Sequence, residues 1–175
     1  MIRSPLFKIS ARNGAVAGIL SLVLAIILFY LGRHPLLVAP YLDFRLFLFG
    51  IFIFFTLKEF RDAYQGGELY FWQGIIGAGI VVFIGNAIAA FGLYIFGTLD
   101  SSFLALFIKQ TTDYFHSFPK EEIERIGKES FERNLAALPA TDIASLSGTY
   151  FIHGIFIGFF VSIILSVILR KQPKN

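Results

Sequence analysis

Long apolar runs constrain this chain more than any other feature. From Ala15 to Leu31, 17 positions hold only Gly18 and Ser21 as non-apolar residues. At about 1.5 Å per residue, a helix of that length crosses most of a hydrocarbon core of roughly 30 Å. A cleaved signal peptide has a shorter core of about 7–15 residues with a small-x-small site soon after, so the run reads as an uncleaved span. Comparable runs recur, and spans are expected over residues 14–31, 41–58, 71–97 and 148–169. The second is the least apolar: its uninterrupted part, Leu46 to Leu57, is short, and Asp43 and Arg45 lie at its outer margin. There the Arg45 side chain is expected to snorkel towards the headgroups.

Composition agrees. Only 15% of the 175 residues are charged and 56% are hydrophobic, whereas a soluble domain carries about 25% charged residues. The length suits a single membrane domain, residues 1–175. The net charge of +3 is small and its bases flank apolar runs, so they read as topology signals and not as a nucleic-acid surface. The absence of Cys excludes disulfides, thiolate metal sites and Cys nucleophiles.

The connections have distinct characters. Pro35 and Pro40 mark a short apolar loop, and Pro40 is expected to open the second span because its missing N–H is not needed there. The segment KEFRDAYQGGELYFW, Lys58 to Trp72, is charged, and Gly66-Gly67 should break the helix within it. Residues 98–147 form the one extended polar region. Asp100 or Ser101 can cap a helix bearing Phe103, Phe107, Tyr114, Phe115 and Phe118. After Pro119, Lys120 to Leu138 reads as one charged amphipathic helix, so this region is expected to be an extramembrane helical hairpin. Thr141 is expected to cap the last helix.

Lys and Arg near the span ends orient the chain. Arg3, Lys8, Arg12, Lys58, Arg61, Arg170, Lys171 and Lys174 fall on one side, which becomes the cytoplasmic face with both termini and the central loop. Only Arg33, with Arg45 at the margin, marks the short loop opposite.

The layout resembles a known family. A span ending in Phe60-Arg61-Asp62, the Gly66-Gly67 break, a third span led by Phe71, an outer helical hairpin and the ending ILSVILRK (residues 164–171) carry the resemblance over nearly the whole chain. It resembles the domain-of-unknown-function family four-one-nine-nine, small inner-membrane proteins of Gram-negative bacteria. The resemblance implies four spans and an inner-membrane address, and no mechanism.

Candidate sites are few. Arg61 and Asp62, beside Gly66 and Gly67, could meet an anion or a partner carboxylate; the plain alternative is a topology anchor and a helix break. Gly14 and Gly18 in the first span, and Gly154, Gly158, Ser162 and Ser166 in the last, form small-residue seams for close helix contact. Their partner could be another span, a second copy or another protein. Asn86 lies mid-span, as part of a polar path or as an interhelical hydrogen bond worth about 1 kcal/mol. His34, His116 and His153 are scattered without ligand spacing and read as independent interfacial side chains. No catalytic motif appears and almost no ionisable group is expected inside the membrane, which argues against an enzyme and against a proton-coupled transporter. No metal or cofactor is expected. The partners expected are membrane lipids and either a second copy or another membrane protein. The leading expectation is a helix-packing subunit, scaffold or assembly factor. A small oligomeric channel and a lipid-surface sensor are the alternatives.

Overall fold

The computed structural model describes residues 5–172, apart from the side chains of residues 40, 122 and 126. Arg3 and Lys174, used above to orient the chain, lie outside the described residues. The described chain is helical: α1 Pro5–Tyr30, α2 Phe44–Tyr64, α3 Phe71–Leu99, α4 Ser102–His116, α5 Lys120–Ile126, α6 Lys128–Ala137 and α7 Ile143–Leu169, with short 3-10 turns between some of them.

α3 is the axis of the bundle. It packs against α1 on one side and α7 on another, and α2 closes the remaining gap between α1 and α7. One buried cluster joins Leu6, Ile9, Phe49, Ile53, Val81 and Leu169. A second, at the opposite end, joins Phe29, Leu93, Phe103, Leu146 and Tyr150. The outward faces remain apolar: Ile19 and Val23 on α1, Phe83 and Phe91 on α3, Phe156 and Phe160 on α7 are all exposed. Apolar side chains facing outward all along a bundle fit a hydrocarbon solvent, not water.

Among the described residues, three helices are long and apolar enough to cross a membrane: α1, α3 and α7. α2 is not among them. Its apolar stretch is cut short by Lys58, Glu59, Arg61 and Asp62 within its last two turns. The helix itself runs further than the expected span, to Tyr64, because Gly66 and Gly67 (φ +59° and +91°) supply the left-handed turn only there.

Local chemistry sets the other ends. α1 stops at a Schellman turn: Gly32, with φ +76°, donates to Phe29 O and Arg33 donates to Leu28 O. Pro40 does not open α2. It starts a single 3-10 turn, Pro40–Leu42, and Asp43 caps α2 by accepting from the Arg45 backbone N–H at 2.9 Å. Lys120 to Leu138 is not one helix. Gly127, at φ +95°, divides it into α5 and α6. Asp142, not Thr141, caps α7, its Oδ1 accepting from Ser145 N–H at 2.7 Å. The Ser145 amide accordingly holds the exposed Asp142 carboxyl below its ordinary range.

The two ends of the bundle are tied differently. At the basic end Leu69 and Lys171 exchange two backbone hydrogen bonds, 2.8 and 3.0 Å, which clip the α2–α3 loop to the end of α7. Arg12 pairs with Glu59 at 2.6 Å and Asn13 donates to Thr56 at 2.9 Å, joining α1 to α2. At the other end α4 lies over the α1–α2 loop.

Candidate functional site

The main polar centre lies where α2, α3 and α7 meet. Asp43 and Arg45 are two residues apart across the start of α2, so the cap and the guanidinium face each other. Arg45 Nε lies 3.0 Å from both Asp43 oxygens, and Nη2 lies 2.6 Å from Oδ2. Nη1 donates to the Tyr150 carbonyl at 2.7 Å, and the guanidinium carbon stands 3.9 Å over the Tyr150 ring. Arg45 is only 2% exposed and Asp43 5%. The expected snorkelling of Arg45 is therefore wrong: the ion pair turns inward, because a carboxylate and a backbone carbonyl solvate it there. The expectation that the chain buries almost no ionisable group fails with it.

Asn86, fully buried, completes the centre from α3. Its Nδ2 donates to Val82 O at 2.9 Å, while its Oδ1 has no hydrogen-bond partner among the described residues. A Cβ at position 154 would collide with Asn86 Oδ1 and stand 2.8 Å from Arg45 Nη1. Carbonyl oxygen and guanidinium thus crowd the same point, and Gly154 is what leaves room for both. A cavity of about 370 Å³ opens beside the centre, lined by Asp43, Arg45 and His153 together with apolar residues such as Val38 and Phe156. Asn86 is not among its lining residues.

A second polar contact fastens α4. His34 is 1% exposed, its ring 4.5 Å from Phe103 and 5.1 Å from Phe107. Its Nδ1 accepts from Leu36 N–H, while Nε2 has no partner among the described residues. Gln110 of α4 grips the same loop twice, accepting from His34 N–H at 3.0 Å and donating to Gly32 O at 2.7 Å. Burial pushes the imidazole down from its ordinary 6.5 to about 4. Between those values a released loop takes up a proton that the docked one refuses. Docking is therefore complete above the ordinary pKa, weakens as pH falls through that window by up to about 3 kcal/mol, and changes no further below it. The thermal midpoint in detergent should drop between pH 7 and pH 4.5. His34→Asn, which keeps a side-chain acceptor for Leu36 N–H but does not titrate, should remove that part of the drop. An identical pH profile for the variant would refute the role of His34.

The family model described as protein of unknown function (DUF4199) matches residues 12–171. The chain belongs to this family. No curated protein and no solved structure matches the chain. The DUF4199 match thus ends at Lys171, the residue that closes the bridge with Leu69.

In this DUF4199 protein the residues singled out in the sequence fall into separate groups. Arg61 and Asp62 pair with each other at 2.7 Å near the surface, and the guanidinium holds the exposed Asp62 carboxyl below its ordinary range. Gly67 N–H is spent on Arg61 O and Glu68 N–H on Gln65 O, so neither is free for an anion. Both seams face α3. A Cβ at Gly14 would stand 2.9 Å from Val81 O and one at Gly18 2.6 Å from Gly85 O. From α7, Gly158 meets the Val82 side chain, and Ser166 fills the space that a Cβ on Gly74 would need. Ser162 Oγ donates to Gly158 O at 2.6 Å. Asn86 and Gly154 come together at the polar centre, and His153 lies at its cavity. His34 is buried, while His116 is exposed and apart from both. Asp43, Arg45 and Tyr150 are the members that sequence reasoning missed. An acid and a base two residues apart at the edge of an apolar run was the available signal.

Proposed function

We propose that this DUF4199 protein is a non-enzymatic, four-span protein of the bacterial inner membrane that works by association, as a subunit, scaffold or assembly factor. α2 is the fourth span, its charged last turns reaching the cytoplasmic surface. The termini and the α2–α3 loop face the cytoplasm, and α4 to α6 lie outside as an amphipathic cover. The observation that carries this reading is how the interior polar groups are used. Arg45 is paired with Asp43 and donates to a backbone carbonyl, which staples α2 to α7. The channel alternative loses support for the same reason, since its path residue Asn86 is enclosed.

Gly158→Leu is no test of association, because Gly158 packs on Val82 of the same chain. The composition of the particle purified in mild detergent from its own membranes is one. A stoichiometric second protein, or a defined homo-oligomer that passes no ions in vesicles, supports the reading. A monomer, or flux from pure protein, overturns it. Since the chain has no Cys, single substitutions report topology directly. Ala63→Cys should react with a membrane-impermeant maleimide only in opened cells, and Ser117→Cys also in intact spheroplasts. The reverse pattern would invert the orientation.

A further inference from the structure

The cavity beside Asp43 and Arg45 has a neighbour along the same two helices. A separate space of about 590 Å³ lies between α2 and α7, lined by apolar residues such as Leu46, Phe47, Gly50, Phe54, Val161 and Leu165. The first space reaches Arg45 on α2 and Ile157 on α7, and the second takes up at Leu46 and Val161. Asp43, Phe47, Gly50 and Phe54 follow one another at helical spacing on α2, as Ile157, Val161 and Leu165 do on α7. Gly50 is the notch of this lower part, where an added Cβ would meet nothing within 4 Å. The two helices run in the same direction, with Arg45 beside Tyr150 and Phe54 beside Val161. A polar space and an apolar one therefore lie in line along the same side of α2 and α7.

We infer that this crevice binds a single-tailed amphiphile with a neutral head bearing carbonyl, ester or hydroxyl oxygens. Hydrogen-bond capacity sets the head chemistry. Asp43 already accepts from the Arg45 backbone N–H, from Nε and from Nη2, so the carboxylate is occupied. A guanidinium has five N–H groups, and Arg45 has committed only Nε and one on each terminal nitrogen. With the exposed imidazole of His153, the upper end offers donors, and the head that matches supplies acceptors. Charge sets the rest. Asp43 cancels Arg45 at 2.6 Å, so a strong anion gains little there, while an uncharged oxygen gains a charge-assisted hydrogen bond without bringing an unpaired charge. The lower groove is lined by hydrocarbon alone and takes the tail. This inference does not depend on the association reading.

The test is photocrosslinking of pure protein in phosphatidylcholine vesicles with a monoacylglycerol carrying a diazirine in its chain. Peptide mapping should place most of the label on 46–55 and 161–165, and excess plain monoacylglycerol should compete it away. Gly50→Phe, which fills open space and leaves the fold its contacts, should cut that labelling about tenfold. His153→Phe should cut it less. Even labelling of the outward faces of α1, α3 and α7, unchanged by Gly50→Phe, would mean bulk lipid only and would overturn the proposal. Preferential labelling by the matching lysophosphatidate probe would overturn the neutral head.

Discussion

Arg45→Met is expected to lower the stability of the bundle by about 3–5 kcal/mol, because it leaves the Asp43 carboxylate buried with no counter-charge. It also removes the donor to the Tyr150 carbonyl, and with it the polar link between α2 and α7. The loss should appear as a large fall in the thermal midpoint of the detergent-solubilised protein, followed by size-exclusion chromatography after heating. Adding Asp43→Asn should restore most of it. The amide keeps an oxygen to cap the residue 45 N–H but carries no charge, and methionine fills the volume the guanidinium vacates. A single Arg45→Met variant as stable as the parent would show that the pair is hydrated at the surface and not enclosed.

Gly154→Ala should be the next most damaging change, and the more specific one. One methyl group would collide with Asn86 Oδ1 and stand 2.8 Å from Arg45 Nη1. Either α7 moves away from α3 or Asn86 swings off its bond to Val82 O. Such overpacking costs about 1–3 kcal/mol, and here it also disturbs a buried charge. Asn86→Ala in the same chain takes away the obstructing oxygen and should recover most of the loss. Gly18→Ala is the control. Its Cβ would meet Gly85 O at 2.6 Å, and no side-chain truncation can move a backbone carbonyl. Rescue of Gly154→Ala by Asn86→Ala, with no rescue of Gly18→Ala, is the expected pattern in thermal midpoints. Failure of Asn86→Ala to rescue Gly154→Ala would mean that Asn86 is not what Gly154 accommodates.

What the sequence makes legible is what depends on short stretches of it. Apolar run length finds α1, α3 and α7, and Gly66-Gly67 marks the end of α2 because a left-handed turn needs glycine there. The small residues on α1 and α7 are readable as seams by their four-residue spacing. That both of them face α3 is not, since the spacing is silent about which helix answers. The inward turn of Arg45 is illegible for a similar reason. Its acceptor is a carbonyl 105 residues away, and a base near a span end looks the same whether it faces headgroups or a carbonyl. Gly127 and Asp142 were missed more simply. One glycine in a charged amphipathic pattern is easily read through, and Thr141 stands next to a better cap.

The spacing of the ion pair also bears on how such a chain enters a bilayer. Asp43 and Arg45 emerge from the ribosome almost together, and their 2.6 Å contact needs nothing made later. On the proposed four-span reading, α2 is handed to lipid with this pair already neutral while Tyr150 is still unsynthesised. An arginine whose only counter-charge lay on α7 would have to wait at the insertion machinery as a bare cation. With its partner two residues upstream, the arginine's counter-charge is local, and the bond to the Tyr150 carbonyl can form only once α7 has been made.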